Sequence, residues 1–511
     1  MDFNLQKEPK TISEVFSQVS TEQSIDLEMN LPDYCSDIKS ILKCILTPNI
    51  NSVQESGQRV SASGNVVVRL IYVNDDDKID CYEQTVELSK FVEVKELPNN
   101  PILTANATVQ YVNCRAASQR RASINANISI KFTVIHAQKH DFPSDALGCC
   151  VETKKEKTEV EILISQNEKT FDLSETLVLP SDKPPVGKIL RTQGWTVIES
   201  KKTVTNKILI KGEAFFEILY CCDSDEMKFE KLIHSMPVSQ IIEVVGIDDN
   251  TDCDVNLDVR SLSLQTKTDS SGESKLIEIA CKISAFIKAV KNEEITFITD
   301  CYSTKYEIDS QYALQNFDKL IHIDDFQRTI KTTVDLTSSE IKQVLDVWCN
   351  KISTNITTEK DNANGIANLA LSVIYIDEND KIQYNEKNID YEFSFKLNDE
   401  YDNINANSKL QVEKIDFSKM GKDKIELKIQ AHIFVNIHSS VNQKICTNIT
   451  VNEENLKDSD SVALTVYFGT KGEKVWEIAK KYNTTLQAIS EENSLSGEEI
   501  SEDCMLIIPC A

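Results

Sequence analysis

Residues Gly64-Asn65-Val66-Val67-Val68-Arg69-Leu70-Ile71-Tyr72 decide how this chain folds. A glycine introduces an apolar, largely β-branched run that ends in tyrosine. Such side chains crowd a helix but pack well on a pleated strand. Two echoes follow: Gly212 leads to Ala214-Phe215-Phe216-Glu217-Ile218-Leu219-Tyr220, and Gly365 leads to Leu369-Ala370-Leu371-Ser372-Val373-Ile374-Tyr375. Turn-forming residues come after each tyrosine: Asn74-Asp75-Asp76, Asp223-Ser224-Asp225 and Asp377-Glu378-Asn379-Asp380. A second alternating segment then returns, over 86–94, 233–244 and 391–397. Strand, polar turn and strand together predict a hairpin in each copy.

The same frame extends outward from each hairpin. Upstream stands an apolar opening and a short stripe: Leu31-Pro32 before Ile38, Ile41 and Leu42; Leu179-Pro180 before Val186, Ile189 and Leu190; Leu336-Thr337 before Ile341, Val344 and Leu345. That spacing suits one helical turn or the entry to a strand. Downstream, each copy closes on a long alternating run, at 122–135, 276–290 and 424–437. A repeat of this length is a domain and not one rung of a solenoid. The reading divides the chain into a lead-in at 1–25, β repeats at 26–165, 170–310 and 325–455, and a tail at 460–511. The fold class is mainly β, each repeat a β-sandwich or barrel-like domain with apolar inner faces and polar outer ones. Three domains in a row predict an extended rod or arc whose edge strands are open to partners. The lead-in carries one apolar stripe, Ile12, Val15, Phe16 and Val19, which reads as a partner helix or as a packed or frayed segment.

The tail obeys a different pattern. A strand over 462–468 meets a turn bracketed by Gly469 and Gly472. Val475, Ile478, Ala479 and Tyr482 then share one helix face. Thr484 or Thr485 can cap a second helix carrying Leu486 and Ile489, and 505–508 close the module as a strand before Pro509. The result is a small βααβ module of α+β class. Trp476 follows Val475 directly and so points partly away from the apolar face. It is either a half-buried helix residue or an exposed aromatic anchor close after Lys471 and Lys474, a composition typical of interface hot spots.

Composition narrows the function. At 511 residues the chain exceeds one ordinary core. Its 81 acidic and 55 basic residues give a net charge of −26, which opposes nucleic acid and anionic membrane surfaces and favours a partner with a basic face. No apolar run approaches the ~20 residues of a membrane span, and no early apolar stretch reads as a signal peptide. The 15 cysteines are scattered, and Cys149-Cys150 and Cys221-Cys222 lack the spacing of a zinc or cluster site. They read as reduced, core-filling thiols. The six histidines form no His-Glu-x-x-His motif, and no phosphate loop or nucleophile elbow occurs. The expectation is a binding protein with no cofactor and no metal.

Two resemblances sharpen this reading. The tail is similar to a LysM domain, with Gly472-Glu473-Lys474-Val475-Trp476 in the turn into the first helix and Lys481-Tyr482-Asn483-Thr484-Thr485 between the helices. LysM domains usually bind N-acetylglucosamine glycans in a groove between the first turn and the end of the second helix. Here Glu473 and Lys474 replace the usual acid and small hydroxyl, and Glu502-Asp503 replaces the usual Pro-Gly. The repeats resemble the SPOCS domain of spore coat proteins through the Leu-Pro opening and the Gly…Ile-Leu-Tyr strand; Thr337 departs from it. SPOCS-like repeats followed by one LysM domain resemble the family of clostridial coat morphogenetic proteins that interact with stage IV sporulation protein A. That resemblance implies a non-enzymatic scaffold in the mother-cell cytoplasm, at the forespore outer surface. Its LysM domain would bind the coat's basement-layer ATPase, stage IV sporulation protein A, with other coat proteins as further partners. The expected partner-binding residues are Lys471, Gly472, Lys474, Trp476, Glu502 and Asp503. The alternatives are a peptidoglycan-binding wall protein and a structural homopolymer built by the β repeats.

Overall fold

The computed structural model describes residues 3–99, 101–222, 228–336, 340–359, 362–397, 403–457 and 465–509. Unit 1 comprises β1 (Asn4–Asn30), β2 (Ile38–Ser56), β3 (Arg59–Asn74), β4 (Ile79–Glu93), β5 (Ile102–Ser118) and β6 (Arg121–Leu147). Unit 2 comprises β7 (Val151–Val178), β8 (Val186–Val204), β9 (Lys207–Cys222), β10 (Phe229–Glu243), β11 (Asp252–Lys267) and β12 (Leu276–Ser303). Unit 3 comprises β13 (Tyr306–Asp335), β14 (Ile341–Glu359), β15 (Asn362–Asp377), β16 (Ile382–Lys396), β17 (Ile404–Met420) and β18 (Lys424–Leu456). A module of β19 (Thr465–Gly469), α1 (Val475–Lys481), α2 (Leu486–Glu492) and β20 (Cys504–Ile508) follows.

Each unit packs two three-stranded antiparallel sheets face to face. One sheet orders its second, third and fourth strands; the other places the sixth between the first and the fifth. The second and fifth strands also meet, which half-closes each sandwich into a barrel. Inward residues form one core per unit, for example Val66, Val68, Ile124 and Ile128 in unit 1. Tyr72, Tyr220 and Tyr375 are fully buried there. Tyr72 Oη donates to the Ser36 carbonyl at 3.0 Å, and Tyr220 Oη to the equivalent Pro184 carbonyl at 3.2 Å. The glycine that introduces each of these strands has a steric cause. A Cβ on Gly64 would lie 1.9 Å from the Asn49 carbonyl oxygen, one on Gly212 2.1 Å from that of Val197, and one on Gly365 2.1 Å from the Phe393 ring.

The apolar stripes are strand, not helix. β2, β8 and β14 each carry β-bulges between Ile38/Ser40 and Ile41/Lys43, Val186/Lys188 and Ile189/Arg191, and Ile341/Gln343 and Val344/Asp346. Each bulge inserts one unpaired residue, so residues three apart return to the same face. Ile38 and Ile41 thus both face the core of unit 1. The residue left unpaired by the second bulge is Leu42, Leu190 or Leu345, and it points the opposite way.

Those leucines meet one another. With Ile71, Leu219 and Ile374, the residues just before the buried tyrosines, they form an apolar cluster drawn from all three units. The units therefore close around an approximate three-fold axis and not into the expected rod or arc. The physical reason is that β3, β9 and β15 end buried on both faces, and the second face needs a cover. Lys43, Arg191 and Asp346 occupy equivalent places at this centre, paired opposite Ile71, Leu219 and Ile374. Arg191 Nε donates to Asp346 Oδ2 at 2.9 Å and its Nη2 to Glu217, while Lys231 lies 2.8 Å from Glu217 and 3.2 Å from Asp346. Asp346 is 0% exposed. Burial raises its carboxyl, but Arg191 and Lys231 outweigh that and hold it below the ordinary carboxylate range.

The lead-in is not a helix. β1 pairs with β6 along its whole length, and the same hairpin of first and last strands recurs as β7–β12 and β13–β18. These strands run far beyond the alternating ends at 135, 290 and 437. Their extensions pack together as a stalk around Ile12, Phe142, Ile162, Phe297, Phe317 and Ile445. Lys10–Glu293 at 2.7 Å and His438–Glu161 at 2.8 Å tie neighbouring hairpins.

The turns after Tyr72 and Tyr375 form as expected. Asn74 Oδ1 accepts from the Asp76 and Lys78 amides, and Asp377 Oδ1 likewise from Asn379 and Lys381. The corresponding turn at 223–225, Thr337, and residues 462–464 of the tail strand lie outside the described residues.

Candidate functional site

The module is built around its turn. Gly472 adopts φ +88°, a conformation that favours glycine, and its amide donates to the Ile500 carbonyl at 2.9 Å. Glu473 holds that turn together, since its carboxylate accepts from the Thr470 amide at 3.1 Å and from Tyr467 Oη at 3.2 Å. Lys474 is the N-cap of α1 but supplies no side-chain cap bond; its backbone bridges to Glu499. Thr485, not Thr484, caps α2, accepting from the Ala488 amide at 3.0 Å. Asn493 joins the end of α2 to β20 through the Ile507 amide and carbonyl, both at 2.7 Å.

Five of the six expected partner-binding residues are exposed and come together. The Lys471 amide donates to Asp503 Oδ1 at 2.8 Å, which draws the 470–474 turn against the 501–503 loop. Lys471, Gly472, Lys474, Glu502 and Asp503 all face solvent there. Both signs of charge are displayed within one short, backbone-pinned ridge.

Trp476 is different. The surrounding lysines suggest an exposed anchor, but the residue is only 7% exposed. Its ring meets Tyr302 edge to face with centroids 5.0 Å apart, and its Nε1 donates to Asp300 Oδ2 at 2.8 Å. Lys480 Nζ reaches both oxygens of Asp300 at 2.7 and 2.8 Å, and Tyr302 Oη donates to the Thr484 carbonyl at 2.7 Å. Lys457 Nζ adds bonds to the Ser303 carbonyl and Asn483 Oδ1. The module is thereby docked, through α1 and the inter-helix loop, on the end of β12. Burial works to raise the Asp300 carboxyl, but the bonds from Lys480 and Trp476 prevail and lower it. Burial and the nearby charge of Lys480 lower Lys457. Sequence reasoning missed this dock because Asp300 and Tyr302 lie in an unremarkable acidic-aromatic stretch. The signal available was Trp476 standing off its helix stripe, which marks a second packing face.

Four of the six histidines, His234, His322, His432 and His438, lie beside carboxylates. His234 meets Glu175 at 3.3 Å, and His432 lies 3.3 Å from Glu413 and stacks on Phe434. His136 and His140 both lie on β6, where four residues of strand separate them by about 13 Å. Among the described residues no group of three or more His, Cys, Asp or Glu is arranged to hold a metal ion. No described helix is long and apolar enough to cross a membrane.

Comparison with known families agrees with this architecture. Residues 37–117 and 185–267 match the model described as SipL, SPOCS domain, and residues 470–509 match the LysM domain. The two SPOCS matches span the four inner strands of units 1 and 2, from the first bulge through the fifth strand. Unit 3 repeats the strand order and both of these bulges. No curated protein matches the chain, and no solved structure matches it.

Proposed function

We infer that this chain, whose residues 37–117 and 185–267 match the SipL SPOCS domain and whose residues 470–509 match the LysM domain, is a non-enzymatic spore-coat scaffold, and that its C-terminal module recruits the coat's basement-layer ATPase, stage IV sporulation protein A. The observation that carries this reading is the exposed ridge of Lys471, Gly472, Lys474, Glu502 and Asp503, held rigid by backbone bonds and left uncovered by the dock. A rigid ridge loses little entropy on binding, and its mixed charges suit a polar protein surface. Trp476 serves the same end indirectly, by fixing the module on the stalk through Asp300. The place of action in this reading is the mother-cell cytoplasm at the forespore outer surface, where the three-unit body offers further surface to other coat proteins.

The test is capture of purified stage IV sporulation protein A by the immobilised full chain. Reversing both lysines, Lys471→Glu with Lys474→Glu, is expected to weaken capture at least about tenfold, roughly 1.4 kcal/mol, with unchanged circular dichroism. Unchanged capture would remove the ridge from the interface. A parallel pull-down uses peptidoglycan. Strong retention that N-acetylglucosamine oligomers abolish would assign the module to glycan instead.

A further inference from the structure

Cys301 and Cys446 lie on different units, on β12 and β18, yet share one buried cluster at the end of the stalk. They are 3% and 0% exposed, and the Cys446 thiol donates to the Asn448 carbonyl at 3.4 Å. Cys446 stands opposite Tyr312 in the β13–β18 pairing, and Tyr312 Oη lies 3.9 Å from Cys301 Sγ. The same hydroxyl bonds Asp300 Oδ1 at 3.0 Å and receives Ser310 Oγ at 3.1 Å. The flanking residues of Cys301, Asp300 and Tyr302, are the two that hold the C-terminal module.

We propose that Cys301 and Cys446 are a modification site: a thiol pair that a peroxide-class oxidant converts to a disulfide, joining unit 2 to unit 3 beneath the module. The Cys301 thiolate attacks one peroxide oxygen, the O–O bond breaks, and one water leaves after protonation. Cys446 sulfur then attacks the sulfenic sulfur of Cys301, the S–O bond breaks, and the second water leaves. Two thiols and one hydrogen peroxide thus give one disulfide and two waters, with the two electrons passing to peroxide. Cys301 is the attacking partner. The neighbouring Cys446 thiol lowers the Cys301 thiol against the opposing effect of burial, with help from Tyr312 and Ser310. The neighbouring Cys301, together with burial, raises Cys446, which keeps it a thiol until Cys301 has been oxidised. A covalent link here adds to the two-residue connection, Thr304-Lys305, between β12 and β13, and it fixes the floor on which Trp476 and Lys480 rest.

The test uses the full chain. Exposed thiols such as Cys150 are first blocked with iodoacetamide under native conditions. Hydrogen peroxide is then added, the chain is denatured, and remaining thiols are alkylated with N-ethylmaleimide. The expected result is a non-reduced peptide linking Cys301 to Cys446 and the loss of two alkylatable thiols per chain. In Cys446→Ser the link is lost, and dimedone traps sulfenic acid at Cys301. The wild-type mapping stands even where that variant folds poorly. N-ethylmaleimide on both Cys301 and Cys446 after oxidation, or a disulfide joining either of them to another cysteine, would overturn the proposal.

Discussion

Replacing Asp346 by alanine tests whether the three units close on a buried ionic centre. In the native chain two cations, Arg191 and Lys231, face two carboxylates, Glu217 and Asp346. Asp346→Ala leaves both cations facing Glu217 alone, with one uncompensated positive charge shared between the buried Arg191 and the half-buried Lys231. At an effective dielectric of ~20 a pair about 4 Å apart is worth about 4 kcal/mol. Breaking a buried pair from one side commonly costs about 3–5 kcal/mol. The expected loss is therefore about 3–5 kcal/mol, read as a drop in the urea midpoint of up to about 1 M. Tryptophan fluorescence and circular dichroism both follow the transition; Trp348 lies at the centre, with the Arg191 guanidinium 5.2 Å from its ring. Asp380→Ala is the control, because Asp380 pairs with Lys342 on the surface, where water screens the pair and little stability rests on it. A chain with all four charges replaced by Met or Leu is expected to recover most of the loss, since the penalty comes from the unpaired charge and not from the missing contact. If Asp346→Ala and Asp380→Ala lower the midpoint equally, the buried ionic centre is not what holds the units together.

The module dock should respond to acid in one direction. Asp300 is held below its ordinary value, so its contribution is intact above the unfolded carboxylate value of about 3.9 and fades as pH falls through the lowered folded value. Acrylamide quenching of Trp476 should stay constant from about pH 5 to 8 and rise below about pH 3; a rise already near neutrality would contradict the dock. Trp476→Ala should cost about 3–5 kcal/mol of full-chain stability, read by thermal unfolding, because a buried indole and its Asp300 bond are both lost. Gly64→Ala should destabilise more than Gly365→Ala, by about 1–3 kcal/mol in urea titration, since the added methyl meets backbone at the first site and a side-chain ring at the second. Deleting 460–511 should leave the three units folded by circular dichroism and abolish localisation to the forespore; normal localisation would move targeting to the body.

Much of the fold could be read from the chain. The Gly…Tyr strands, the turns at Asn74 and Asp377, and the βααβ order of the tail follow from local periodicity and turn chemistry. Leu42, Leu190 and Leu345 read equally as part of one helical turn or of a strand entry. A bulge adds one residue to a strand and so imitates the three-residue step of a helix. The stalk was less legible still. β1 alternates weakly because each hairpin's extension is buried by two neighbours from other units, a pattern no single strand displays. At the candidate site, the glycine turn and its charges were visible, but Trp476 was not correctly placed. An aromatic close after two lysines reads as an exposed anchor until the distant Asp300 is known to face it.

Three β repeats and a small α+β tail are thus inscribed in local pattern, because strand alternation, bulge residues and steric glycines act over a few neighbouring positions. Closure of the repeats into a ring with a three-hairpin stalk, and docking of the tail upon it, emerge only in the folded molecule. Both outcomes depend on second faces of strands and helices, whose covers lie hundreds of residues away and leave no periodic mark. Lys43, Arg191 and Asp346 look like ordinary surface charges in the chain, yet they occupy equivalent places at the centre where the three units meet.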